Sequence, residues 1–411
     1  MITKIDHCRI CRSDNLDRFL DLGPMPLPNG FLSQDQLNHP EPTYPLSVGV
    51  CPECSLVQLV DLVDPKIMFR NYAYIPSASK TRLDNFRHIV TESLKLFPPQ
   101  TNSLAVDIGS NDGSLLLEFK KRGIATLGID PAANLARIAE LKGIRTLNQF
   151  FSTKLARAIR RRYGPVSHVT ATNVVAHIGN LQDFFSAIKT ILQPQGIFTC
   201  EFPYLVDLLQ KKLFDTIYQE HLSYFAVQPL LRLISDNRLK IVKIRRTPID
   251  GGALRLTIAQ QNSAYPPATS ALKKLLNLEQ SLRLHQPIIY QKFAREVNQL
   301  KRQITSTLRQ LKTAGHSIAG YGAAARGNIL MNYCRIGKYI DFIVDSTPYK
   351  QGLFTPGSHI KIYPEEAILK RQPDYVLILA WNFAKEIIAK QHQYRELGGK
   401  FIIPVPYVHI T

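Results

Sequence analysis

Two C-x-x-C pairs, Cys8/Cys11 and Cys51/Cys54, stand 39 residues apart near the start of a chain of 411 residues. The opening, MITKIDHC, has no apolar core of a secretory signal, so an intracellular, reducing setting is expected and the pairs read as a four-thiolate zinc site before they read as disulfides. Four thiolates leave no open coordination position, so the expected role is structural and not catalytic. The segment needs such a crosslink. Asp21–Phe31 (DLGPMPLPNGF) holds three prolines and two glycines, which lock the backbone into extended and turn conformations with little apolar surface to bury. A metal then supplies the stability that a small irregular segment cannot draw from a core. Cys200 and Cys334 stand alone in apolar surroundings and read as small core residues.

From about residue 101 the pattern becomes an alternation of buried strands and amphipathic helices. Strands fit Ser103–Ile108, Ala125–Ile129, Ser167–Thr172 and Gly196–Glu201, with helices after GSNDG, after Asp130 and over Leu181–Leu192. This alternation predicts a mostly parallel, doubly wound sheet. Leu239–Arg245 and Ala253–Gln260, joined across PIDGG, read as a closing antiparallel hairpin. Residues 268–315 read as long, charged and helical up to Gly315. A second α/β unit follows, with strands over Ser317–Tyr321, Ile340–Asp345, Tyr375–Ala380 and Lys400–Pro404. The expected fold class is therefore α/β: a small N-terminal zinc-binding module, then two Rossmann-like α/β domains in series.

Composition narrows the partners. Lys plus Arg number 51 against 32 Asp plus Glu, a formal charge of +19, which suits nucleic acid, a membrane surface or a nucleotide substrate. The basic clusters, Arg157–Arg162 and Lys240–Arg246, lack the interleaved aromatics of a single-strand platform, and read as solvated faces. The most apolar runs, such as Tyr375–Trp381, are too short to span a bilayer. A soluble cytoplasmic protein is expected.

Chemistry concentrates at a few places. VDIGSNDGSLL (Val106–Leu116) lies where a strand yields to a helix, so Gly109 and Gly113 permit close approach of a ligand to free backbone N–H groups. Asp130 ends the next strand, 23 residues after Asp107, where a carboxylate can accept from ribose hydroxyls. GSNDG fits G-x-G-x-x-G poorly and is closer to motif I of the class I S-adenosylmethionine (SAM) methyltransferases, with Asn111 in place of the middle glycine. The end of the fourth strand offers Asn173 and His177 beside that cofactor. In FDTIYQEHLSYF, Phe214, Tyr218, His221 and Phe225 recur at i, i+4, i+7 and i+11, the spacing of one helical face. By that periodicity alone the segment is a buried helix. The second glycine turn, GYGAAARGN, has the wrong spacing for a dinucleotide fingerprint and speaks only for close helix–strand packing.

The whole chain resembles the sugar-nucleotide C-methyltransferases, enzymes that act on deoxy-4-ketohexoses linked to a nucleoside diphosphate. The resemblance rests on an ordered set: CxxC…CxxC with DLGPMPLPNGF between, NYAYIPSAS at 71–79, VDIGSNDGSLL, NVVAHI, EFPY…FDTIYQEHLSYF, IDGGALRL, GYGAAARGN and DSTPYKQGLFTPGSHIKI at 345–362. It implies a zinc-binding module over residues 1–70, a SAM domain over 71–265 and a nucleotide-sugar-binding domain over 266–411. It implies Cys8, Cys11, Cys51 and Cys54 on zinc, and Asp107, Gly109, Asn111, Gly113, Asp130, Asn173 and His177 around SAM. The base falls at His221 of Y-x-E-H, with a tyrosine as the other candidate; Tyr218 and Tyr74, chosen over Tyr72, would serve the enolate oxygen or orient the sugar. Glu220 would fix the histidine tautomer or help hold the substrate. Gly322, Arg326 and Asn328 of the second turn would face the pyrophosphate-sugar, with Lys350 and His359 as further nucleotide contacts. The partner implied is a nucleoside-diphosphate 4-ketosugar, methylated at C3 or alternatively at C5; the oligomeric state stays open, with a monomer as the working expectation.

Two other classes compete. A nucleic-acid methyltransferase would suit a cysteine module on a basic chain, but amino-group methylation calls for N/D-P-P-Y/F after the fourth strand, where this chain has ATNVVAHI. Nucleic acid is accordingly not the expected partner. A non-catalytic binding module would not need Asp107, Gly109, Asp130, Tyr218 and His221 together.

Overall fold

The computed structural model describes residues 2–69, 72–73 and 75–411; Tyr74 lies outside them. Each cysteine knuckle closes by the same turn: Arg12 N–H donates to the Cys8 carbonyl (3.0 Å) and Ser55 N–H to that of Cys51 (2.8 Å), with Arg12 and Ser55 both at positive φ. Strands Asp17–Asp21, Ser47–Val50 and Val57–Leu59 form an antiparallel sheet around the knuckles. Its fourth strand, Ser223–Tyr224, arrives from far downstream and pairs with Val57–Leu59.

The central sheet has seven strands in the order 239–247, 253–260, 192–203, 166–172, 104–108, 125–129 and 146–147. Strands from Leu192–Pro203 to Thr146–Leu147 run parallel. Ala253–Gln260 is antiparallel between Leu192–Pro203 and Leu239–Thr247, the hairpin expected across PIDGG. Chain reversal there depends on three successive left-handed residues, Asp250, Gly251 and Gly252, at φ 54°, 93° and 143°. The C-terminal sheet runs 362–363, 342–344, 318–321, 375–378 and 400–403 in parallel, with 409–410 antiparallel at the edge. Both parallel sheets reverse strand order beside their first strand, and ligands of such sheets bind at that switch point.

Two expectations need correction. Residues 268–315 form two helices, Thr269–Ser281 and Pro287–Thr313. Pro287 forces Gln286 into an extended conformation (φ −99°, ψ 128°), and Arg283 before it is left-handed. The longer helix then buries Tyr290, Phe293, Val297, Leu300, Ile304 and Leu308, a row along one face, with Tyr290 against Phe19 of the zinc module (ring centroids 5.0 Å).

FDTIYQEHLSYF is not a helix. It is a 3-10 turn over Phe214–Thr216, an irregular stretch, and the strand Ser223–Tyr224. Helical spacing misleads here because every residue of the segment is buried, Asp215, Gln219 and Glu220 included, so there is no solvent face. Tertiary partners fix the backbone at both ends: Asp215 binds Arg326 and Trp381, and Leu222 and Ser223 pair with the zinc-module sheet. Among the described residues no helix is long and apolar enough to cross a membrane.

Candidate active site

A cavity of about 570 Å3 lies between the carboxyl ends of the two parallel sheets. On one side stands the first glycine turn. Gly109 is left-handed (φ 67°), and a Cβ there would come within 2.4 Å of Val174 Cγ2. Asn111, at φ 50°, takes a conformation that asparagine tolerates better than other side chains, which accounts for its standing where a glycine is usual. Asp130 accepts from the backbone N–H of Asn111 and of Ala132, both at 2.8 Å. Burial raises its carboxyl above the ordinary value. Asp107 accepts from the Thr170 hydroxyl at 2.6 Å, and burial, opposed by that bond and reinforced by Asp130, pushes it up to about 7. Asp107, Gly109, Asn111, Asp130, Asn173 and His177 all line the cavity, whereas Gly113 does not. Gly113 caps the next helix, and a Cβ there would meet Ile144 and Ala139.

At the centre, the turn Tyr218–His221, closed by His221 N–H on the Tyr218 carbonyl (2.9 Å), brings two rings to 4.0 Å between centroids. His221 Nδ1 lies 2.7 Å from the Thr216 carbonyl. A carbonyl only accepts, so Nδ1 carries the proton and Nε2 keeps its lone pair. The Tyr218 hydroxyl donates to that Nε2 at 2.9 Å. Burial drives the His221 pKa down to about 4 and the Tyr218 hydroxyl well above its usual range, so both are neutral near pH 7. His177, expected beside the cofactor, also belongs to this cluster: its ring is 5.1 Å from that of His221 and stacks on Phe69. Its Nε2 is buried with no hydrogen-bond partner among the described residues, and burial holds its pKa well below the ordinary value.

Glu220 does not orient His221; the Thr216 carbonyl does. Its carboxylate accepts from Asn29 Nδ2 at 2.7 Å and from the Tyr72 hydroxyl at 2.6 Å, and it stands behind the cavity wall that Asn29 and Tyr72 line. Burial raises its pKa to about 7. Among the described residues, the tyrosine joined to this group is Tyr72.

On the far side lies the second glycine turn. Gly322 is at φ 95°, and a Cβ there would come within 2.7 Å of Ala380 Cβ, so close approach at the switch point demands glycine. Arg326 lines the cavity but is engaged: Nε and NH2 donate to Asp215 (3.2 and 2.9 Å), NH1 to the Asp250 carbonyl (2.9 Å), and its guanidinium lies 4.5 Å from the Trp381 ring. Lys350 also lines the cavity, donating to the Ala323 carbonyl at 2.9 Å and lying 3.5 Å from Asp345. Asn328 and His359 do not line it. Asn328 is buried and donates to the Pro28 carbonyl (2.6 Å), and His359 pairs with Glu41 at the surface.

Several cavity residues escape sequence reasoning. Asp250 accepts from Arg82 (2.6 and 2.8 Å) and Asn173 (2.9 Å), joining the two halves of the cavity; its only sequence signal was the DGG turn. Gln149 and Phe150 line the cofactor side directly after the short Thr146–Leu147 strand, and Asn29 enters from the zinc module. The four cysteine sulfurs of that module lie within 4.8 Å of one another. A tetrahedron of Zn–S bonds spaces its sulfurs by about 3.8 Å, so the thiolates fit a zinc ion closely.

Comparison with known proteins agrees with each part of this architecture. Family models match residues 8–69 ("Putative zinc binding domain"), 82–244 ("Methyltransferase domain") and 248–406 ("C-methyltransferase C-terminal domain"). The chain is 33% identical over 407 residues to C-methyltransferase NovU of Streptomyces niveus, covering 99% of this chain and 97% of that protein. Among solved structures, magnesium protoporphyrin IX methyltransferase (ChlM) of Synechocystis PCC 6803 with bound SAM aligns at 14% identity, covering 46% of this chain and 86% of that one, with a TM-score of 0.34. The PH0226 protein of Pyrococcus horikoshii OT3 aligns at 11% identity over 48% of this chain and 99% of that one, with a TM-score of 0.35.

Proposed function

Because the chain belongs to the SAM-dependent C-methyltransferases that carry a zinc-binding module, we propose that its acceptor is a nucleoside-diphosphate 4-keto-deoxyhexose, methylated at C3. The observation that carries this reading is the Tyr218–His221 pair, with one unprotonated ring nitrogen fixed by the Thr216 carbonyl inside the cavity that also holds the first glycine turn. SAM supplies an electrophilic methyl group. A carbon acceptor must be made nucleophilic, and a ketone does this by acidifying the neighbouring C–H. His221 Nε2 takes the C3 proton; the Tyr218 hydroxyl, shifted from Nε2 to the sugar, donates to the enolate oxygen. C3 then forms its bond to the methyl carbon as the S–CH3 bond breaks, and S-adenosylhomocysteine leaves. Tyr218 is poorly suited to be the base, because burial raises its pKa while lowering that of its proton acceptor.

The cofactor half would be held by Asp130 at the ribose, with Asp107, Gly109 and Asn111 forming the wall. Asp130→Asn should weaken SAM binding by about 10- to 100-fold, the loss of charge-assisted hydrogen bonds, read by calorimetry without acceptor. The nucleotide-sugar would lie toward Gly322, Arg326 and Lys350, against the N-terminus of the helix Ala325–Cys334. Nucleic acid is disfavoured by the cations that line the cavity: Arg82, Arg326, Lys350 and Lys390 each face a carboxylate and form no open basic groove. The test is incubation with SAM and a panel of nucleoside-diphosphate 4-ketosugars, with NMR of the products. A new C-methyl signal at C3 is expected; methylation of RNA and of no ketosugar would overturn the reading.

A further inference from the structure

We propose that the zinc-binding module completes the acceptor site, and that the Asn29 side-chain oxygen accepts a hydrogen bond from a hydroxyl of the sugar. This rests on the ketosugar reading above. Asn29 belongs to the proline-rich loop between the two cysteine pairs, yet it lines the cavity. The loop is fastened on each side of it. Met25 exchanges backbone hydrogen bonds with Tyr44 (2.9 and 2.8 Å), Gly30 N–H closes a turn on the Leu27 carbonyl (3.0 Å), and Leu32 exchanges hydrogen bonds with Phe354 (3.0 and 2.8 Å). Asn328, from the first turn of the C-terminal α/β helix, holds the Pro28 carbonyl at 2.6 Å. Pro24, Pro26 and Pro28 remove backbone freedom from the same stretch. A loop so pinned can place one side chain with the precision that a binding site requires.

The Asn29 amide is also oriented. Its Nδ2 donates to Glu220 Oε1 at 2.7 Å, and Glu220 is itself held by Tyr72. One Nδ2 proton is committed to that carboxylate, which fixes the plane of the amide; its second proton and its carbonyl oxygen remain, and the oxygen is an acceptor with no protein partner among the described residues. An acceptor at the wall of a sugar site recognises a hydroxyl. The Asn29–Glu220–Tyr72 bridge lies next in sequence to His221, so the same group that reads the hydroxyl sets the distance from sugar to base.

The experiment uses the full-length zinc-loaded protein and the ketosugar that the wild type turns over best. Asn29→Ala should raise the acceptor KM by about 10- to 100-fold, leaving zinc content at one per chain and the SAM Kd within twofold. An acceptor lacking the recognised hydroxyl should be as poor for the wild type as the parent sugar is for Asn29→Ala, and the variant should show no further loss with it. Asn29→Ser, a smaller change to the loop, should move KM in the same direction and serves if the alanine variant loses zinc. If the acceptor KM of a zinc-loaded variant stays within twofold, the inference fails while the ketosugar reading stands. If the wild type methylates no ketosugar, both fail.

Discussion

His221→Asn should lower kcat on the order of 10^2- to 10^4-fold, the range expected when a positioned general base is removed, and should abolish solvent exchange of the acceptor α-proton. The asparagine amide can still donate to the Thr216 carbonyl, so the turn is preserved while the Nε2 lone pair is lost. SAM binding, proposed above to involve Asp107 and Asp130, should be unchanged. Tyr218→Phe provides the contrast. It removes the hydroxyl now resting on Nε2, so exchange should persist while methyl transfer slows. The opposite outcome, with exchange lost in Tyr218→Phe and kept in His221→Asn, would make the tyrosine the base. The pH dependence has a defined sign. With its pKa lowered from 6.5 to about 4 by burial, His221 stays neutral through the weakly acidic range, so it does not set an acid limb near 6.5. Its contribution to folding stability is whole above about pH 6.5 and is lost as pH falls toward 4. Glu220, raised from 4.5 to about 7, works the other way: its contribution is whole below 4.5 and is lost as pH rises through 7. Two-dimensional NMR of ring-labelled histidine should find His221 uncharged at pH 5.5; a midpoint near 6.5 would contradict the burial.

Removing zinc should sharply reduce turnover while leaving much of the SAM affinity. Chelation, or Cys51→Ser, breaks a tetrathiolate that holds a segment with little core of its own. The damage should spread along named contacts. Arg9, next to Cys8, donates to Ser223 Oγ at 3.1 Å, Leu59 N–H donates to the Leu222 carbonyl at 3.1 Å, and Val57–Leu59 pairs with Ser223–Tyr224. Those residues follow His221 directly. Acceptor kcat/KM should therefore fall at least on the order of 10- to 100-fold, with the SAM Kd changing only a few-fold, because the first glycine turn belongs to a different sheet. Equal loss of both on titrating the metal away would mean that zinc supports the whole chain and not this side of the site.

The parts of this molecule that were legible in its sequence are those with local causes. The cysteine spacing, the glycine turn at a strand end, Asp130 at the end of the next strand and the alternation of strands and helices each follow from neighbouring residues. What escaped was non-local. The helical spacing of Phe214, Tyr218, His221 and Phe225 is real, but the segment is buried on all sides and its backbone follows Arg326 and the zinc-module sheet. Glu220 meets Asn29, 191 positions away, and no local pattern announces that pairing. Arg326 looked like a free phosphate partner because Asp215, which holds it, lies 111 positions before it.

The borrowed strand Ser223–Tyr224 also sets an order of assembly. While the chain is being made, the first cysteine module emerges with one sheet edge unpaired and its proline loop without the anchors at Asn328 and Phe354. Metal can bind at once, since all four thiolates are in place early. The module reaches its final form only when synthesis has passed the central sheet and the C-terminal unit has begun to fold against it. Contacts of such long sequence separation form late. Cut out by itself, the segment would be a loaded but unfinished piece, with an open strand edge inviting association, and neither it nor the central sheet alone would enclose the whole cavity.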